Sequence, residues 1–136
     1  VSERSDGPLT TDELIKRLRN GSAPERARAC RELAAQPDAA AVPALVDALE
    51  DEDSGVRWLA AVALIAHRDA AVIPILERLI ERADSPWFRE GAHHVLQALV
   101  TPEISPVVEA LESKFPEEAA PVAANEALAK LHGTGR

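Results

Sequence analysis

Four leucines, Leu33, Leu64, Leu96 and Leu128, recur at intervals of 31, 32 and 32 residues. Whole amphipathic patterns recur with them, so one two-helix unit is written about four times along the chain. Such a period constrains the fold strongly. A single helical pair cannot bury its own apolar face, and stability has to arise where neighbouring units stack. The expected fold is all-α, an α-solenoid of about four helical hairpins wound as a right-handed superhelix. The units fall near 9–36, 37–68, 69–100 and 101–132. Residues 1–8 read as an extended or disordered lead, and 133–136 as a short tail.

Local signals place the helices. Ser22 followed by Glu25 has the spacing of a capping box, in which each side chain satisfies a free backbone N–H. Asp38 and Asp69 are similar N-cap candidates, as are Ser54, Ser85 before Pro86 and Thr101 before Pro102. First helices are predicted near 10–19, 39–50, 70–83 and 102–114, and second helices near 23–35, 55–67, 86–99 and 117–131. Pro43, Pro74 and Pro106 occupy matching places in three first helices, where a proline removes a hydrogen bond and predicts a kink.

The second helices share a register through Arg26, Arg57 and Arg89, then Ala29, Ala60, Ala92 and Ala124, then the four leucines. At about 100° per residue, Val56, Ala60, Ala63, Leu64 and His67 share one face, which should pack on the partner helix. Trp58, Val62 and Ile65 point the other way. The run Asp51-Glu52-Asp53-Ser54-Gly55-Val56-Arg57-Trp58-Leu59-Ala60-Ala61-Val62-Ala63-Leu64, with Ala41-Val42-Pro43-Ala44-Leu45-Val46-Asp47-Ala48-Leu49 before it, resembles the short HEAT repeat of the phycobilisome-lyase-like type. The resemblance covers about residues 9 to 132 and is strongest in the second unit. It implies a ladder in which a turn aspartate and an early second-helix arginine pair between neighbours, at Asp51 and Arg57 here. The ladder is incomplete: Asn20 and Ala83 stand six residues before Arg26 and Arg89, and Phe115 and Pro121 fill those places in the fourth unit, which reads as a cap. Arg89, lacking that partner, is left available to a ligand.

Composition narrows the function. A net charge of −8 disfavours nucleic acid, whose binding depends on Lys and Arg releasing counterions. No apolar run approaches the roughly 20 residues that span a bilayer, and residues 1–8 lack the apolar stretch of a secretory signal. A cytoplasmic protein is expected, with the lone Cys30 packed rather than reactive. Glycine-rich phosphate loops, paired-cysteine metal sites and nucleophile elbows are absent from the sequence, so no catalytic residue, metal or cofactor is assigned. Glu90 and His94 lie one turn apart, but two ligands make a poor metal site. The acidic run Glu50 to Asp53 is read as solvating its turn and capping the next helix.

The remaining candidate is the outward face of the second helices, which in HEAT-like solenoids lines the inner curve. Arg31, Arg57, Trp58, Val62, Arg89, Glu90 and His94 fall on it or at its edge, as does Glu126 of the fourth unit. Aromatic residues make up only 3% of the chain, so an outward tryptophan among arginines stands out, and these two residue types dominate interface hot spots. Trp87, next to Pro86 and Phe88, reads as a staple against the preceding helix. The expected activity is non-enzymatic: a scaffold holding an acidic, partly apolar peptide or helix, with Trp58 as anchor and Arg57 and Arg89 as clamps. The resemblance also implies two alternatives, a bilin lyase or isomerase handling a linear tetrapyrrole and a relative of HEAT-like base-excision glycosylases. The short chain and the packed cysteine disfavour the first, and the charge disfavours the second.

Overall fold

The computed structural model describes residues 9–134, in which eight α-helices and no strand are found. The lead expected over 1–8 lies outside the described residues. The helices are α1 (Thr11–Asn20), α2 (Ala23–Ala35), α3 (Val42–Ala48), α4 (Ser54–Ala66), α5 (Asp69–Arg82), α6 (Pro86–Ala98), α7 (Ser105–Leu111) and α8 (Pro116–Thr134), with a 3-10 turn over Ala39–Ala41 before α3. They pair as consecutive helical hairpins in an α-solenoid. The tail expected from residue 133 starts inside α8.

Capping explains most of the boundaries. Ser22 and Glu25 form the expected reciprocal box, and Thr10 with Glu13 forms a second one at α1 that the sequence reading overlooked. Ser85 accepts from the Phe88 N–H. At α4 the cap is Asp53, not Ser54, and its carboxylate accepts from the Val56 N–H. Asp69 does not cap α5; it is the first helical residue, and Arg68 before it has φ 56° and ψ −130°. That left-handed backbone crowds a side chain against its own carbonyl.

Only one of the three expected kinks has a proline inside its helix. Pro43 and Pro106 stand in the first turns of α3 and α7, where a missing N–H leaves no bond unmade. Pro74 alone lies within its first helix. The α3 and α7 segments avoid the proline clash by starting their regular helix one residue before it. Thr101 likewise does not cap a helix; its carbonyl accepts from the Ile104 and Ser105 N–H groups in a turn that precedes α7.

The core is the repeated register. Ala29, Ala60, Ala92 and Ala124 are buried, as are Leu33, Leu64, Leu96 and Leu128, and the small alanines let helices of adjacent units approach closely. The face of Val56, Ala60, Ala63, Leu64 and His67 is buried in full. His67 closes the second hairpin: Nδ1 donates to the Ala63 carbonyl at 2.8 Å, and Nε2 accepts from the Asp38 N–H at 3.0 Å.

Second helices stack α2 on α4 on α6, and first helices α1 on α3 on α5. The last hairpin exchanges the layers. α8 packs on α5, while α7 meets α6, and the His93 Nε2 lies 2.7 Å from Glu112 Oε2 across that junction. Glu126 therefore belongs to the first-helix side, not to the outward face of the second helices.

The acidic run does more than solvate a turn. Asp47 takes Arg19 of α1 and Arg78 of α5, each at 2.7 Å, and Glu50 takes Arg82 through Nη2 at 2.6 Å. Asp51 receives Arg26 of α2 through Nε at 2.8 Å and Nη2 at 2.9 Å. Three carboxylates of the second unit thus clamp four arginines of the first and third. The Arg26–Asp51 pair is the most sheltered, with side chains 15% and 12% exposed, where a two-pronged bond is worth more than at the surface.

Burial raises the Asp51 carboxyl, but the Arg26 contact and the Asp53 N–H outweigh it, and the net shift is downward from 3.8. A depressed carboxylate contributes stability that is present above its ordinary value and lost as pH falls through the lower folded value. Asp51→Asn should therefore lower the melting temperature at pH 7 by roughly 5 °C, and the gap to wild type should close as thermal melts are repeated down to acidic pH. Arg68→Gly should do the reverse. Relief of the positive φ is expected to stabilise the fold by about 1 kcal/mol, read as a rise in the urea midpoint at unchanged slope.

Candidate functional site

Trp58 projects from the second turn of α4, on the side opposite its buried face, and is 57% exposed. Neighbouring units do not cover it. Its indole meets His94 of α6, with ring centroids 4.7 Å apart and planes tilted by 35°. About two turns earlier on α6, Trp87 is 44% exposed, and the Arg57 guanidinium lies 4.1 Å from its ring centroid. Each tryptophan is thus met by a nitrogen-bearing side chain from the facing helix, and a cation over an indole face is attracted by the ring quadrupole.

Between the two contacts lies a groove of about 430 Å³. Arg57, Trp58, Trp87, Glu90, His93 and His94 line it, with Ser54 and Ala61 beside them. Its floor is Leu49. Gly91 makes that floor possible, because a Cβ there would come within 2.8 Å of Leu49 Cδ2. Among the described residues Glu90 has no hydrogen-bond or ion-pair partner, so the groove presents one guanidinium and one open carboxylate around two indoles.

The predicted residues divide. Arg57, Trp58, Glu90 and His94 meet at this groove. Arg89 does not line it, and its Nη1 donates to the Ala83 carbonyl of its own turn at 2.7 Å. Val62 is 37% exposed and Arg31 exposed, but neither reaches the groove. The ladder also differs from the implied pair: Arg57 Nη1 donates to the Asp51 backbone carbonyl at 2.7 Å, and the Asp51 carboxylate goes to Arg26.

Trp87 was misplaced by sequence. The staple is Phe88, which is fully buried, and Trp87 sits about 100° around the helix in the groove wall. The repeat contained the signal, since Phe88 aligns with Val56 of the buried face and Trp87 with Gly55. His93 was also missed, because its equivalents Cys30 and Ala61 are both buried.

Cys30 is sealed in the core, and desolvation pushes its thiol up to about 12. Among the described residues no group of three metal-ligating side chains converges, and no helix is long and apolar enough to cross a membrane.

The family model of HEAT repeats matches residues 11–97, which takes in the first three hairpins and both walls of the groove. No curated protein and no solved structure matches the chain. The match ends before α7, where the layers exchange.

A thiol held at so high a pKa is inert. Cys30 should resist Ellman's reagent in the native protein at pH 8 and react fully once urea unfolds the chain; rapid native labelling would show that the α2 core opens.

Proposed function

The chain belongs to the HEAT-repeat family, whose repeats generally serve as protein-interaction scaffolds, and on that premise we propose that it is a non-enzymatic adaptor holding a partner peptide or helix in the groove between α4 and α6. The observation that carries this reading is the pair of half-exposed indoles flanking a groove. The protein has two tryptophans, and both are there. Leaving that much aromatic surface wet is unfavourable unless a partner covers it.

Trp58 is the apolar anchor and Arg57 the charged clamp. Arg89 and Arg31 serve as outlying charges that steer an acidic partner, because exposed side chains act on association at a distance even where they do not touch. Scaffold function asks for no proton transfer or nucleophile, and the one buried thiol is unsuited to either.

Peptides selected on the immobilised protein from a displayed random library provide the test. Trp58→Ala should weaken them by at least tenfold, about 1.4 kcal/mol, with the helical circular dichroism unchanged. Val62→Ala, outside the groove, should leave affinity within about twofold. Equal affinities for wild type and Trp58→Ala would remove the groove as the binding site.

A further inference from the structure

Arg57 stands where the row of cross-unit ion pairs is broken. One unit earlier, Arg26 donates Nη1 to the Gly21 carbonyl of its own turn and gives Nε and Nη2 to the Asp51 carboxylate of the next unit. Arg57 makes the same kind of turn contact, Nη1 to the Asp51 carbonyl. The residue placed to return a carboxylate to it is Ala83. This alanine is the equivalent of Asp51, because each offers its carbonyl to the arginine six residues ahead, Asp51 to Arg57 and Ala83 to Arg89, both at 2.7 Å. A methyl group accepts nothing. Arg57 therefore has no ion pair, and its Nε and Nη2 have no protein acceptor among the described residues.

The structure assigns to Arg57 the recognition of a carboxylate supplied by the partner, which takes on Arg57 the place that Asp51 takes on Arg26. This rests on the groove being the peptide site and adds its chemistry: an Asp or Glu next to an apolar side chain, the acid on Arg57 and the apolar group between Trp58 and Trp87. Arg57 suits the task because its fork is already oriented. The Asp51 carbonyl holds one nitrogen and the Trp87 ring sets its plane, so a two-pronged bond to a carboxylate forms with little further ordering. Glu90 lines the same groove and repels an acid, which leaves Arg57 as the group in the lining that receives the partner's carboxylate. His93 is engaged with Glu112, and His94 with Trp58.

The test uses three capped hexapeptides that differ at one position, Asp, Asn or Lys, beside a Leu-Leu pair. Both tryptophans of the protein flank the groove, so their fluorescence reports occupancy directly. The Asp peptide should bind at least about fivefold more tightly than the Asn peptide. Arg57→Gln should abolish that preference without changing affinity for the Asn peptide. Ala83→Asp, which returns a carboxylate from within the chain, should abolish it too and raise the melting temperature. Glu90→Gln should tighten the Asp peptide. Preference for Asp surviving in folded Arg57→Gln, preference for the Lys peptide, or no fluorescence response to the Asp peptide at millimolar concentration each overturns the assignment. If Trp58→Ala weakens all three peptides while Arg57→Gln changes none, the groove reading stands and the carboxylate assignment alone fails.

Discussion

Each of the first three hairpins is tied to its own turn by an arginine near the start of its second helix, and the rest of the architecture depends on where that guanidinium's remaining donors go. Arg26, Arg57 and Arg89 all give one N–H to a carbonyl at the turn before their helix. That bond satisfies an acceptor a helix end would otherwise leave open. Between the first and second units the other donors close on Asp51, and the joint is charged, two-pronged and sheltered. Between the second and third, Nε and Nη2 of Arg57 meet no carboxylate among the described residues. The joint there is held by packing around Leu49 and Gly91 and by the α5 arginines on Asp47 and Glu50, which lie toward the first-helix side. The charged fastening between these two units thus lies along one layer, and the groove opens along the other.

The period of the leucines made the hairpins legible because burial at a repeat interface leaves few choices of residue. Leu33, Leu64 and Leu96 each fill one site between two helices, and their alanine companions set the spacing. Exposure was legible for Trp58 by the same phase argument run in reverse. What escaped was everything decided by contacts between units. Glu50 read as solvent-facing and Asp51 as the partner of Arg57, because nothing in a local window shows that Arg82 and Arg26 arrive from elsewhere. Local pattern also gave Asp69 as a cap, whereas the chain reverses there through the strained Arg68. Pro43 and Pro106 read as kinks because spacing alone does not reveal where a helix begins, and two helices begin one residue before the proline.

The fourth hairpin shows the limit of periodicity. Leu128 and Ala124 keep the register and are buried, yet α8 lies on α5 instead of extending the row of second helices. The same apolar stripe serves either layer, because a leucine-and-alanine face carries no information about which neighbour covers it. Once α7 takes the place beside α6, the position equivalent to Cys30 and Ala61 lies open, and a histidine there can reach Glu112.

The groove follows from these two departures together. An acid at position 83 would occupy the donors of Arg57 that now face the groove. A fourth unit in register would lay a second helix along α6, against the face that carries His93. With neither present, Trp58 and Trp87 remain half uncovered in a protein that spends no other tryptophan on its core. The lining supplies its own contrast: Arg57 and Glu90 both face the groove, so an incoming carboxylate is drawn to the guanidinium and repelled by the acid. Selectivity for an acid then comes less from the strength of one contact than from the unfavourable alternatives that surround it.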